Sequence, residues 1–436
     1  MRNAQINLLP DEIPRKWYNI IPDLPEKLPA PTDPEEGESR LKLLPKIFNA
    51  ECLKQEMSNE NWITIPEEVI ELFLRAGRPR PLFRAIGLER ALKLPDKIRL
   101  YYKSEFYSPT GSHKVNTALA QLFYVKQQGY ERVVTETGAG QWGSALAYAA
   151  SLMDLKCTVY WVRAAHDLKP ERKTLMQSFG AEIFASPSNR TKCGRELLKK
   201  DPKHPGSLGI AISEAIEDVL NSEKSVYCLG SVLNHVLMHQ TIIGLETMKQ
   251  FEKIDEEPDV MTGCLGGGSN FGGFVLPFVG EVIKKKKNIR FIAAQSESAP
   301  NLIKGEYKYD FGDHAEQTPL LKMFTLGHKH VGTPIFAEGL RYHAAAPIIS
   351  LLRKHNLIEA VAYPSNEKTI FEAAKLFVKN EGFLPAPESC YGVRAAIDEA
   401  LKAKRENREC VIAMNISGHG FLDMQFYNEV NKQISG

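Results

Sequence analysis

Residues 98–162 read IRLYYKSEFYSPTGSHKVNTALAQLFYVKQQGYERVVTETGAGQWGSALAYAASLMDLKCTVYWV, and the punctuation of this stretch decides the fold. Short apolar runs (IRLYY, RVVTE, CTVYWV) alternate with helical periodicity over 112–128 and after Gly143, and the alternation continues through a helix before Gly180 into AEIFA. β-branched and aromatic runs separated by helices are the pattern of parallel strands whose crossover helices cover the sheet faces. A second series follows: helices over 208–220 and 232–251, then DVMTGCL, a helix from Asn270, RFIAAQ, several helices between Pro347 and Lys404, and CVIAMNIS. The pattern predicts an α/β chain of two domains with mainly parallel sheets flanked by helices. An N-terminal α/β domain covers 61–240 and a C-terminal α/β domain 241–436, with no internal repeat in either.

Toward the amino terminus the character changes. Eight of the 26 prolines fall in the first 45 residues. Such density works against helix and predicts an extended arm over 1–60 that wraps a surface or serves an interface. From Pro66, PEEVIELFLRAG puts Val69, Ile70, Phe73 and Leu74 on one helical face and stops at Gly77.

With 43% hydrophobic and 25% charged residues, the 436-residue chain can bury a large core, which excludes a disordered protein. Lysine and arginine total 55 against 53 acids, a net charge of +2, so no basic field argues for nucleic acid. The basic run 284–287 reads as the solvated end of a helix in preference to a binding patch. Seven scattered cysteines without a C-x-x-C pair fit a reduced, intracellular chain. The start lacks an apolar signal region, and FGGFVLPFVG stops at Glu281, too short to span a bilayer. The expectation is a soluble cytoplasmic protein.

In open α/β sheets, chemistry is sought just beyond the carboxyl ends of strands. Three such places are rich in glycine and polar residues: ETGAGQWG, GGGSN and SGHG. Gly266, Gly267, Gly268, Ser269 and Asn270 open a helix, where backbone N–H groups can close on a phosphate, although a plain turn uses the same glycines. The segment lacks the ending of an ATP-binding loop, and Phe271 stands where a dinucleotide motif needs its third glycine, although Glu297 lies where such a fold keeps its ribose acid.

Lys114, in the first turn after a predicted Ser112 N-cap, sits at the wrong end of a helix dipole for a cation. That placement favours the neutral amine, which can attack a carbonyl, while the alternative is an exposed lysine reaching water. A carbonyl compound that also carries phosphate is pyridoxal phosphate. Ser417 then offers a neutral hydroxyl to its ring nitrogen, a setting suited to β-elimination and replacement. Glu136 closes its strand as an acid and base, and the turn Thr137, Gly138, Ala139, Gly140, Gln141 and Trp142 can wrap a substrate carboxylate. His235 and His239 lie four apart on a helix, but the glutamate of H-E-x-x-H is missing, so hydrogen-bonded histidines are favoured over a metal and no metal ligands are assigned.

GRPRPL, GSHKVN, TETGAGQWG, GSVLNH, GGGSN, EGLRYH, PAPES and SGHG, in this order, resemble the tryptophan synthase β subunits from about residue 17 to 423. Gln-Trp in place of Gln-His, with the Pro-rich arm, is similar to their second class. The resemblance implies a fold type II pyridoxal phosphate enzyme, a carbon–oxygen lyase making L-tryptophan from indole and L-serine in the last step of tryptophan biosynthesis. It implies that Lys114 carries the cofactor. His113, Asn116 and residues 266–270 would contact it, Ser417 would face the ring nitrogen, Glu136 would be the acid and base, and 137–142 would hold the substrate. It also implies that 77–111 joins the other domain, and a β homodimer that binds α subunits. A serine or threonine deaminase of the same fold, and a non-catalytic regulatory subunit, remain as alternatives.

Two departures stand out. Gln295 replaces an acid the family often carries, and Gly339-Leu340-Arg341-Tyr342-His343 replaces G-L-D-Y-P. An arginine near the leaving group would grip a phosphate, so Arg341 is expected to favour O-phospho-L-serine over L-serine. The alternative is a structural salt bridge to a nearby acid.

Overall fold

The computed structural model describes residues 4–434. Seven strands form the larger sheet in the order Gln5–Ile6, Leu82–Arg84, Ile98–Ser104, Cys410–Ile416, Val260–Cys264, Arg290–Ser296 and Glu359–Tyr363. The last five run parallel, and the first two pair antiparallel at one edge. Four parallel strands form the second sheet: Glu182–Ser186, Lys156–Val162, Arg132–Thr137 and Ser225–Tyr227. Every residue of Cys410–Ile416 is buried, as a strand covered on both faces by helices must be, which is why its sequence is apolar but for Asn415. Strands from both ends of the chain therefore share one sheet, including Leu82–Arg84 and Ile98–Ser104 from the first third.

Register positions the site. Ile98–Ser104 pairs with Cys410–Ile416 from Ile98↔Cys410 to Ser104↔Ile416, so the two strands end side by side. The chain beyond each then meets in the isolated bridge Ser112↔Gly418, which brings Lys114 and Ser417 to one place.

Several expectations are corrected. Within 1–60 the helices Leu44–Ile47 and Ala50–Glu56 replace extended chain. Pro45 falls in the first turn of its helix, where its missing N–H costs nothing, and Asn49 caps the next through Cys52 N at 2.9 Å. Nor is the arm only surface material, since Trp17 is 0% exposed and packs tilted against His239 with centroids 4.5 Å apart. Residues 1–3 of the arm and 435–436 of the carboxyl-terminal segment lie outside the described residues.

The helix expected over 232–251 is two, Asn234–Gln240 and Ile242–Glu252. At the break, Thr241 Oγ1 donates to Met238 O at 2.6 Å and accepts from Tyr18 N at 3.0 Å. The strand Glu359–Tyr363 appears where only helices were expected. The antiparallel hairpin Glu306–Phe311 with Leu320–Thr325 was not foreseen.

Candidate active site

The carboxyl ends of both sheets open on one cavity of about 180 Å³. Into it project Lys114, Glu136, Ser417 and the turn 266–270. Lys114 is itself the residue before the helix Val115–Gln127, so Ser112 is not its N-cap. The bridge to Gly418 holds Ser112 outside the helix, and its hydroxyl instead accepts from Lys114 N at 3.2 Å. Lys114 is part-exposed because its side chain faces the cavity, where Nζ donates to Gly230 O at 2.9 Å. Desolvation lowers its pKa to about 8, against the pull of Glu136 and Glu388.

The glycine turn joins the strand Val260–Cys264 to the helix Ser269–Ile283. Gly268 has φ +126°, which a side chain would strain, and a Cβ on Gly267 would stand 2.3 Å from Ser231 Oγ. The glycines thus let backbone N–H groups of a helix start approach the cavity. His113 joins this wall to the Ser417 segment, with Nε2 3.2 Å from Ser269 Oγ and Nδ1 3.3 Å from Ser417 O. Burial, with the charge of Lys114, lowers its pKa to about 3, so the ring is neutral. Asn270 Nδ2 donates to Cys264 O at 3.0 Å. Ser417 Oγ lies 2.8 Å from Ser389 Oγ and 3.6 Å from Cys264 Sγ, among neutral partners only.

Glu136 lies in the strand Arg132–Thr137, 3% exposed. Desolvation raises its pKa to about 7, although Tyr227 donates a short hydrogen bond to Oε2. The turn beyond is braced from behind. Thr137 Oγ1 accepts from Gly143 N at 3.2 Å, Trp161 Nε1 donates to Gly138 O at 2.9 Å, and Gln141 Nε2 donates to Glu388 Oε2 at 3.1 Å. Trp142 Nε1 donates to Thr135 Oγ1 at 2.6 Å, which leaves its ring as a cavity wall. Thr137, Gly138, Ala139, Gln141 and Trp142 line the cavity, whereas Gly140 stands just behind.

Two expected residues point elsewhere. Asn116 is 1% exposed and faces away, accepting from Arg78 Nε at 3.0 Å and donating to Gln240 Oε1 at 2.9 Å. It belongs to a buried ion cluster of Arg78, Arg80, Lys103, Glu105 and Glu246. The Arg341 guanidinium pairs with Glu338 and donates to Gly332 O at 2.6 Å, and Arg341 does not line the cavity. Glu297 is exposed and does not line the cavity, while Gln295 donates to Asn301 Oδ1 at 2.7 Å. His235 Nδ1 lies 2.8 Å from Glu56 Oε2, and His239 contacts Gln55 and Thr117. Among the described residues no cluster of histidine, cysteine, aspartate and glutamate could hold a metal.

Sequence reasoning missed Tyr227, Glu338 and Glu388 on the cavity wall, and the apolar end formed by Phe48, Leu208, Ile212 and Tyr342. Glu388 had a signal, being an acid in the first turn of the helix Pro387–Arg405 inside PAPES. Phe48 had none, because it arrives from the arm.

The sequence profile of the family described as pyridoxal-phosphate dependent enzyme matches residues 73–418. A protein of Thermococcus kodakarensis named tryptophan synthase beta chain 2 is 56% identical over 425 residues, 97% of this chain and 95% of its own length. The tryptophan synthase beta chain 2 of Methanothermobacter thermautotrophicus is 55% identical over 419 residues, covering 96% of each chain. Among solved structures, maize serine racemase superposes with a TM-score of 0.55 at 18% identity, over 83% of this chain and 98% of that one. O-acetyl serine sulfhydrylase isoform 3 from Entamoeba histolytica gives 0.56 at 16%, over 82% and 91%. At that identity these two speak for the fold alone.

Proposed function

This chain belongs to the pyridoxal-phosphate dependent enzymes and, within them, to the tryptophan synthase β chains, and on that premise we propose how its cavity makes L-tryptophan from indole and L-serine. The enzyme is a carbon–oxygen lyase that uses pyridoxal 5'-phosphate for a β-replacement. The observation that carries the assignment of residues is the convergence of Lys114, the turn 266–270, Ser417 and Glu136 on one cavity.

The residues present fit the cofactor. Lys114 is an amine with its pKa brought to about 8, able to hold an aldehyde carbon. The turn 266–270 offers a helix start to a phosphate, at glycines that packing keeps free of side chains. Ser417 offers a hydroxyl and no charge to a ring nitrogen. When bound, the group supplies the electron sink that lets an α-proton and a β-substituent depart.

Everything else falls to the chain. Lys114 Nζ takes and returns the α-proton. Backbone N–H groups of 137–142, with Thr137, hold the substrate carboxylate. Glu136, with its pKa near neutrality, gives a proton to the departing hydroxyl and receives one from indole. The apolar end of the cavity, including Phe48, Leu208 and Ile212, takes the indole ring and keeps water away, which separates synthesis from deamination.

L-Serine is the donor in this reading, because the Arg341 charge is already matched by Glu338. O-Phospho-L-serine remains the comparison that tests it. Residues 77–111 belong with the C-terminal α/β domain, and the remainder of 61–240 forms the other. The assembly is a homodimer with an α subunit as further partner, supported by exposed Met57 and Trp62 beside the arm, and a light-scattering mass of one chain would refute it. Seven free thiols support a cytoplasmic location, and among the described residues no helix is long and apolar enough to cross a membrane. Product analysis tests the function: L-tryptophan from indole and L-serine is expected, whereas keto acid alone, with or without indole, would overturn it.

A further inference from the structure

Two hydroxyl groups approach the Glu136 carboxyl from the same side. Tyr227 donates a short hydrogen bond to Oε2, and Thr135 Oγ1 lies 3.4 Å from the same atom. A threonine has one hydroxyl hydrogen, and that of Thr135 is taken at 2.6 Å by Cys228 O, while its oxygen accepts from Trp142 Nε1 at 2.6 Å. Thr135 thus has no donor left for Glu136, and Tyr227 is the one side-chain donor to the carboxyl among the described residues. Its place is well determined. The strand Ser225–Tyr227 runs parallel to Arg132–Thr137 with Val134↔Tyr227 in register, Tyr227 is 2% exposed, and Phe48 packs on its ring at 5.5 Å.

We propose that Tyr227 is the positioning residue for Glu136, its hydroxyl holding Oε2 so that the proton is given and taken at Oε1. This rests on Glu136 being the acid and base of the reaction proposed above. A hydroxyl that donates to Oε2 disfavours a proton on that oxygen, which would be the weaker acceptor, so a protonated Glu136 carries its hydrogen preferentially on Oε1. Burial and the charge of Glu136 keep the Tyr227 phenol from ionising, so it remains a donor throughout the cycle. Oε1–H gives its proton to the serine β-oxygen as the carbon–oxygen bond breaks with its electron pair on oxygen, and water leaves. The carboxylate then takes at Oε1 the proton that indole loses as the new carbon–carbon bond forms, so protons balance over a turnover. The other titratable groups facing Glu136 are Lys114, Cys228 and Tyr342, with Glu388 acting on Lys114. Only Lys114 among them opposes its carboxylate with a positive charge.

The test is Tyr227→Phe, which removes the hydroxyl and keeps the ring against Phe48. Infrared titration of the cofactor-free protein follows the protonated-carboxyl band of Glu136, assigned by its loss in Glu136→Gln. Without the donor the carboxylate is less favoured, so the midpoint should rise by about one pH unit. In the loaded enzyme kcat for tryptophan should fall about tenfold or more, KM for L-serine should stay within about twofold, and the alkaline limb of kcat should move the same way. A midpoint and limb unchanged in Tyr227→Phe overturn the proposal. If instead Glu136→Gln keeps tryptophan synthesis, the acid and base role of Glu136 fails, and with it the use proposed for the Tyr227 hydrogen bond.

Discussion

The start of the helix Val115–Gln127 separates two buried electrostatic regions that treat a glutamate in opposite ways. Behind it, Glu105 has 0% exposure and the guanidinium groups of Arg78 and Arg80 at 2.6 and 2.5 Å. Its pKa falls to about 2, because these cations and Lys103 outweigh desolvation. In front, Glu136 is equally buried but meets a phenol and a more distant lysine, and its pKa rises to about 7. Burial alone raises a carboxyl, and fixed cations reverse it. The rear region holds Glu105 as a carboxylate at neutral pH, while the front keeps Glu136 and Lys114 near the point where each can trade a proton.

Lys114→Ala should produce the largest change. Tryptophan synthesis is expected to drop on the order of 10⁴-fold or more, with no comparable loss of stability, as measured by steady-state assay and thermal melting. Glu105→Gln should do the reverse. It leaves Arg80 buried without its carboxylate partner and Arg78 with Glu246 alone, which costs about 3–5 kcal/mol in denaturant unfolding, while kcat of the protein that stays folded is largely kept.

Glu136→Gln should lower kcat by about 10²–10⁴-fold and also change how stability depends on pH. The folded pKa of Glu136 lies above the unfolded value, so between pH 4.5 and about 7 the folded state holds a proton the unfolded state has lost. Stability falls as pH rises through that window, and the variant should be relatively stabilised at pH 8 by about 3 kcal/mol at most. Glu105 has the opposite sign. Its folded pKa is depressed, so its contribution is complete above pH 4.5 and is lost as pH falls toward about 2. Unfolding of wild type and both variants from pH 3 to 8 checks the two slopes together.

Arg341→Ala should matter least to donor choice, since its guanidinium is held by Glu338 and Gly332. The ratio of kcat/KM for O-phospho-L-serine and L-serine is expected to change by less than about threefold. A loss confined to the phosphorylated donor would put the arginine at the leaving group.

The same division explains what the sequence disclosed. Lys114, Glu136, the turn 266–270 and Ser417 each follow a strand or open a helix inside βα units, where local pattern names the position and the sheets bring them together. Asn116 is two residues beyond Lys114, and a single sequence does not say that it faces the ion cluster instead of the cavity. Arg341 was legible as an unusual charge, but its partner Glu338 became visible only with the turn Glu338–Leu340 in place. Tyr227 and Phe48 meet through a contact between the arm and the four-stranded sheet, a long-range pairing that periodicity does not encode. The short helices of the arm were hidden by prolines, although Pro45 occupies a position that tolerates one.

The central claim is that Lys114, among all the lysines of the chain, holds the cofactor in this cavity. Reconstitution with pyridoxal 5'-phosphate, borohydride reduction and peptide mass spectrometry test it directly. The account predicts the reduced pyridoxyl group on the peptide that contains Lys114, and none in Lys114→Ala; stable modification of a different lysine, with Lys114 unmodified and tryptophan synthesis intact, would contradict it.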